Sequence, residues 1–399
     1  MKRERKAEEN DSFLERYEKQ LWSCQNCFCG LCIEVCPAYQ QLKNEAVTAR
    51  GLAQICLGFL NGELQMGQVL DDIVYSCMGC GFCETVCSMN TPLYIQRCGT
   101  RETKVSGSTM AEILRSLKIS EGGKMPPEIR NALVSLKRHG NPYGVGDSAK
   151  DDWINGLGVG MGDSDRIVYV GATVPYDSRS TIMAKALIDV LRTFEVDFGV
   201  LGSQERDSGA LARMMGEEWL LAEMVEHNTR VFNENKIREI ICLSPHDYHA
   251  FTHYYTGLKD VKIWHYSQAL WQMIEEGTIV FHTKLDKRAT YHDSCFLGRR
   301  NGIYSEPRRV IQSIPGLEYV EMKESAESAL CCGGGGVGLV FEVRNCRTDL
   351  VRVDQAKSCN AEILAVACPI CYQMLDSAVK SKGYNLRVMD ISELVLQAI

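Results

Sequence analysis

AEILAVACPICYQM, residues 361–374, opens as a short apolar run and breaks at a Cys-Pro turn into helical spacing. A run of that length, rich in aliphatic residues and closed by a turn signal, reads as a buried strand feeding a helix. The same passage occurs earlier as REIICLSPHDYHAF, residues 238–251. Working outward, RIVYVGATVPYD (166–177) resembles RATYHDSCFLGR (288–299), and VDFGVLGSQERDSGA (196–210) resembles LEYVEMKESAESALCCGG (317–334). The three pairs keep their order and nearly their spacing, so the C-terminal part of the chain is duplicated. Strand-like runs such as RIVYVGA, VDFGVLG and REIICLS alternate with amphipathic stretches such as 180–194. That alternation implies βαβ units on parallel strands. The expectation is two similar α/β halves, 166–284 and 285–399, about a pseudo-twofold axis.

Cysteine is the outlier of the composition, with 19 among 399 residues. The thiols cluster at Cys24 to Cys36, Cys77 to Cys87, Cys331–Cys332 and Cys368 to Cys371, at short spacings that suit metal ligation from one loop. The first twenty residues, MKRERKAEENDSFLERYEKQ, lack the apolar stretch of a secretory leader. An odd number of clustered cysteines without such a leader points to a cytoplasmic metalloprotein and away from a disulfide framework. No apolar run reaches the ~18 residues of a membrane span. A net charge of −7 argues against a nucleic-acid binder, which needs a basic face.

Residues 1–20 read as a charged helix with Phe13, Leu14, Tyr17 and Leu21 on a thin apolar stripe. Residues 21–110 hold two cysteine runs joined by a helical stretch, Ala46 to Leu70, and residues 111–165 read as connecting helices and a Gly-rich linker. Cys77, Cys80, Cys83 and Cys87 form C-x2-C-x2-C-x3-C. In the bacterial ferredoxin pattern three of these thiolates hold one 4Fe-4S cluster, and the fourth crosses to a second. Cys29, Cys32 and Cys36-Pro37 repeat the pattern, but its first position falls on Asn26, a poor donor to iron. Either Cys24 or Cys27 joins Cys29 and Cys32, or Cys24, Cys27 and Cys32 ligate around a two-residue insertion. Zinc is the bland alternative for any paired cysteines, but two such runs about forty residues apart favour two cubane clusters side by side.

Cys295, Cys331, Cys332, Cys368 and Cys371 form C-x35-CC-x35-C-x2-C. They fall in loops that follow strands of one α/β half, where open parallel sheets hold their ligands. The glycine run Gly333 to Gly336 lets the backbone come close to such a centre. With these motifs, the chain resembles the iron–sulfur proteins of the heterodisulfide reductase D family, also called CCG-domain or GlpC-like oxidoreductases, over nearly its whole length. The resemblance implies a helical ferredoxin domain with two cubane 4Fe-4S clusters, followed by a duplicated α/β domain. It also implies that the five C-terminal cysteines bind a noncubane 4Fe-4S cluster, at which a disulfide can be split. In the fullest family members both halves carry the five-cysteine motif. Here the first half has Ala172 or Thr173, Asp207-Ser208, Ser244 and Asp247 in those places, so it is expected to keep the fold without a cluster.

The function this implies is an electron-transferring oxidoreductase subunit of a larger redox complex. Its partners would be a flavoprotein, an acyl-CoA dehydrogenase-like protein, another iron–sulfur subunit, or a membrane quinone or cytochrome subunit. The alternative is a thiol–disulfide reductase, with Cys331 and Cys332 as the catalytic pair and a small thiol or disulfide as substrate. A cytoplasmic protein peripheral to a membrane complex suits either. His292 is a candidate proton donor to a leaving thiolate, against a packing histidine. Arg299 and Arg300 hold a substrate or partner carboxylate, or make a surface salt bridge. Cys56, Cys98, Cys242, Cys346 and Cys359 lie outside the motifs and read as small buried hydrophobes.

Overall fold

The computed structural model describes residues 14–15, 17–65, 71–90, 106–146, 148–157, 159–160 and 164–399. Most of the expected N-terminal helix, including Phe13, lies outside the described residues, as do Cys98 and part of the Gly156 to Gly162 run. The chain forms two compact units. One comprises the described residues up to Arg130 with Arg213–Glu218 and Gly335–Thr348, and the other comprises Asn131–Ala212, Trp219–Gly334 and Asp349–Ile399.

The first unit is helical. Helices Glu18–Gln25, Ala49–Leu60, Asp71–Ser76 and Gly107–Ser120 bury Leu21, Leu52, Cys56, Val74, Ile113 and Leu114 in one apolar core. Thr48 starts the second of these helices by accepting the Gly51 N–H at 3.2 Å, and Ser106 starts the last by accepting that of Thr109 at 3.3 Å. The helical stretch expected from Ala46 to Leu70 stops at Leu60, where Gly62 turns the chain with φ of 71°. A boundary at residue 110 would cut Gly107–Ser120, whose Met110, Ala111, Leu114 and Leu117 belong to this same core. The apolar face of that helix therefore assigns it to the ferredoxin unit rather than to connecting segments.

The two cysteine runs fold alike. Short helices Leu31–Glu34 and Phe82–Thr85 each begin at a glycine in the left-handed region, Gly30 with φ of 67° and Gly81 with φ of 72°. Glycine adopts that conformation without the Cβ clash that other residues suffer.

The second unit contains the two halves. Strands β1 (Arg166–Tyr169), β2 (Glu239–Cys242) and β3 (Lys262–His265) form a parallel sheet in the order β1-β2-β3. Strands β4 (Lys287–Tyr291), β5 (Leu317–Tyr319), β6 (Ile363–Val366) and β7 (Arg387–Asp390) form another, ordered β5-β4-β6-β7. The sequence repeat matches Ile167 to Ala289 and Ile240 to Ile363. The sheets pair Ile167 with Ile240 and Ala289 with Ile363, so the register repeats as well.

The match to β5 is incomplete. In VDFGVLG the described residues form isolated bridging, Gly199 to Ile167, rather than a full strand. Helix Ser178–Thr193 of the first half lies on Pro369–Lys382 and Ile391–Ala398 of the second. Hydrogen bonds from Ser392 to the Met183 carbonyl (3.0 Å) and from Gln373 to Ser180 (3.1 Å) fix that packing. Among the described residues no helix is long and apolar enough to cross a membrane.

Candidate iron–sulfur centres

Cys36 sits at the N-cap of helix Pro37–Leu42 and leaves its own run to join Cys77, Cys80 and Cys83 around one pocket. Cys87 makes the reverse exchange and faces a second pocket with Cys24, Cys27, Cys29 and Cys32. Ala49 and Cys83 line both pockets, so they share a wall. No disulfide joins the described cysteines. Burial pushes the Cys24 and Cys36 thiols up to about 12 and raises Cys77, Cys83 and Cys87 as well. Buried thiols gathered without disulfides suit a metal centre, because iron takes the thiolate and releases the proton that burial otherwise retains.

The second pocket holds five thiols where a cubane needs four. Cys27 and Cys29 have their sulfurs 3.2 Å apart. Ligands on separate corners of a cubane are spread around it, so on a cubane these two would share one position. The equivalence of Gly30 and Gly81 makes Cys29 the counterpart of Cys80.

The five C-terminal cysteines lie at the carboxyl ends of the strands in the second sheet. Cys295 follows β4, Cys331 and Cys332 follow β5, and Cys368 and Cys371 flank the first turn of helix Pro369–Lys382 after β6. All five are buried. The Cys332 and Cys371 sulfurs are 3.4 Å apart, and the Gly333 N–H donates to Cys331 at 3.4 Å. Hydrogen bonding from Cys331, then Cys371 and His292, holds the Cys332 thiol well below its ordinary range. Burial pushes Cys368 up, but hydrogen bonds from Cys371 and His246 bring it down to about 5, while Cys371 is raised in exchange. A ring nitrogen of His292 lies within 4.8 Å of the Cys332 and Cys371 sulfurs, and Nε2 of His292 and of His246 is buried with no oxygen or nitrogen partner. Soft donors and orphaned N–H groups around one centre fit a sulfur-rich cluster.

The glycine run serves packing. A Cβ on Gly334 would lie 2.5 Å from Ile370 Cγ2, and one on Gly336 would lie 2.5 Å from the Cys77 carbonyl oxygen of the first unit. Arg299, read as a surface salt bridge or a carboxylate holder, instead donates to the carbonyls of Ala329 (2.6 Å) and Glu327 (3.1 Å), holding the loop before Cys331. The Arg300 guanidinium lies over the Phe296 ring. Arg308 grips Asp293 with two bonds, 2.6 and 2.9 Å, and Asp293 accepts the Ala326 N–H, so the loops after β4 and β5 are tied together.

His246 went unnoticed in the sequence. It comes from the first half, stacks on Phe296 with ring centroids 4.0 Å apart, and faces Cys368 and Cys295, whose thiolates raise its pKa against the effect of burial. Its one sequence signal is its place in the repeat, opposite Ile370. Of the remaining cysteines, Cys56, Cys242 and Cys346 are buried as expected. Cys359 is not; it is half-buried at a helix end, with its sulfur 3.5 Å from the Gln355 carbonyl oxygen.

Where the first half lacks cysteines it holds buried oxygen donors. Ser208 donates to Asp247 at 2.6 Å, the Gly209 N–H donates to Asp207 at 2.7 Å, and Glu205 pairs with Lys150 at 3.4 Å. These groups are engaged with partners of their own and are hard ligands for an iron–sulfur centre. Asp207→Ala leaves the iron per chain unchanged; a loss of iron by metal analysis would mean that this half still ligates.

Burial pushes Asp207 up to about 6 and Asp247 up to about 7. Unfolded aspartates titrate near ~4, so the folded chain holds the extra protons between those values. The second unit therefore loses stability as pH rises from about 4 through about 7. Asp247→Asn shrinks the fall in melting temperature between pH 5 and pH 8, while Asp390, raised likewise to about 7, retains its share. An unchanged fall would place the protons elsewhere.

Comparison with known proteins gives matches to a 4Fe-4S dicluster domain over residues 28–91 and to a cysteine-rich domain, CCG, over residues 289–376. The chain is 28% identical to a probable iron–sulfur-binding oxidoreductase, FadF, of Bacillus subtilis, across 83% of this chain and 47% of that protein. It is 28% identical to an EtfAB:quinone oxidoreductase of Syntrophomonas wolfei, across 96% of this chain and 59% of the other. The chain thus spans about half the length of these two relatives. It is 26% identical to the D component of the dihydromethanophenazine:CoB–CoM heterodisulfide reductase of Methanosarcina acetivorans, across 95% of each chain.

Proposed function

Because the chain belongs to the CCG-domain iron–sulfur oxidoreductases of the heterodisulfide reductase D family, we propose that it carries electrons within a larger redox complex. Cys36, Cys77, Cys80 and Cys83 hold one cubane. Cys24, Cys32, Cys87 and Cys29, with Cys27 as the competing thiol, hold the other. Cys295, Cys331, Cys332, Cys368 and Cys371 hold a noncubane cluster. When bound, these groups supply one-electron storage at two neighbouring centres and a third, thiolate-rich centre in the α/β unit. The observation that carries the reading is the exchange of Cys36 and Cys87 between pockets that share Ala49 and Cys83, which supports two electron sites side by side.

The partners proposed are a flavoprotein on one side and a quinone, cytochrome or further iron–sulfur subunit on the other. Relatives named for EtfAB:quinone and heterodisulfide chemistry support redox partners of this kind. The proposed place is the cytoplasm, at the edge of a membrane complex. The second reading is a thiol–disulfide reductase working at Cys331 and Cys332, and it draws on the low Cys332 and Cys368 thiols. It needs an opening beside that pair, yet Cys331 is 1% and Cys332 3% exposed, which favours the relay.

Iron and acid-labile sulfide per chain, counted after purification without oxygen, test the proposal. About twelve irons are expected from three four-iron clusters. About eight would mean that the five-cysteine site does not hold its cluster, and the relay would end at the ferredoxin unit. Because Cys27 and Cys29 compete for one position, Cys24 has no substitute. Cys24→Ser removes about four irons, whereas Cys27→Ser leaves the count unchanged. The reverse pattern would make Cys24 the spare thiol.

A further inference from the structure

His292 is 1% exposed, and its two ring nitrogens meet different surroundings. Nδ1 accepts a hydrogen bond from Nε of Arg352 at 3.1 Å. A guanidinium offers donors only and stays protonated, so Nδ1 must present its lone pair. Arg352 cannot turn away, because it is fully buried and its Nη1 donates to the Glu324 carbonyl (2.7 Å) and to Gln355 (2.8 Å). The Arg352 bond therefore leaves Nε2 as the N–H side of the ring, and this nitrogen has no oxygen or nitrogen partner. The ring reaches within 4.8 Å of the Cys332 and Cys371 sulfurs.

This tautomer excludes one role that the position invites. A nitrogen that carries a proton has no lone pair for a metal, so the grouping with Cys332 and Cys371 does not make His292 a third ligand.

We propose that His292 is a positioning residue: a fixed Nε2–H donor, oriented by Arg352, to the sulfur of the third cluster on its Cys332–Cys371 side. Such a bond favours the more electron-rich state and sets the potential of that centre. The inference rests on the reading that the five cysteines hold a cluster.

The test is an EPR-monitored redox titration of the full-length, cluster-loaded chain with His292→Leu and His292→Gln, with iron counted in each. Leucine keeps all of the iron but lowers the ratio of reduced to oxidised third cluster at fixed potential at least tenfold, which for one electron is about 59 mV. Glutamine, which keeps an N–H donor, restores most of that ratio, while the two cubanes in the same samples stay at wild-type potentials. Loss of about four irons in both variants would make His292 a ligand and overturn the proposal. An unchanged potential in the leucine variant, or a glutamine variant that behaves like leucine, would overturn it too. Failure of the underlying reading appears elsewhere, as a wild-type chain with no third cluster to titrate.

Discussion

Cys332→Ser lowers the iron of the anaerobically purified chain by about a third, the share of one four-iron cluster in three, and leaves both cubane signals in place. The Cys332 sulfur stands 3.4 Å from that of Cys371 and within 4.8 Å of a His292 ring nitrogen. Serine puts a hard, protonated hydroxyl there, which iron–sulfur centres accept poorly. The cubane ligands hang on separate helices with their own apolar core, so the loss does not spread to them. Cys80→Ser gives the converse, a loss of iron from the helical unit with the α/β unit intact. If Cys332→Ser bleached the cubanes as well, the division of ligands between units would be wrong.

Arg115→Met destabilises the helical unit by roughly 3–5 kcal/mol, the range for removing a buried charged donor from several acceptors. Arg115 is 1% exposed. Its Nε and Nη2 donate to the Val74 carbonyl at 3.1 and 2.8 Å, Nη2 also donates to that of Cys77 at 2.8 Å, and Nη1 donates to that of Met214. The side chain thus staples the loop that carries Cys77 to the helix before it. Methionine matches much of the length but leaves those carbonyls without their charged donor. Visible iron–sulfur absorbance followed on heating should bleach at a clearly lower temperature, with Arg115→Lys between the two because lysine keeps the charge but loses the fork. Bleaching at the wild-type temperature would show that the Cys77 loop is held by other means.

Much of the α/β part was legible because its signals are local. The strand runs and their repeat carry the register, as the matched pairs Ile167–Ile240 and Ala289–Ile363 demonstrate. The cysteines were legible for the same reason, since one centre must be reached from short loops. What the sequence withheld is what tertiary approach creates. Nothing near Arg352 in the chain announces that it meets His292, sixty residues away, nor does a lone Arg115 announce three carbonyls. His246 acts on the thiols of the other half, a contact that only the packing of the halves creates. The helix expected from Ala46 ends at Leu60, where the left-handed turn at Gly62 interrupts the apolar pattern, and residues 66–70 of that stretch lie outside the described residues.

Cys36 and Cys87 trade places between the two ferredoxin pockets, and this bears on how the protein is made. On the proposed ligand sets each cluster would draw one thiol from the other run, so cargo delivered to one loop would stay open on one side until the other loop arrives. If the pockets take clusters as proposed, closing either one would need both runs in place, so a chain ending between the runs could complete neither.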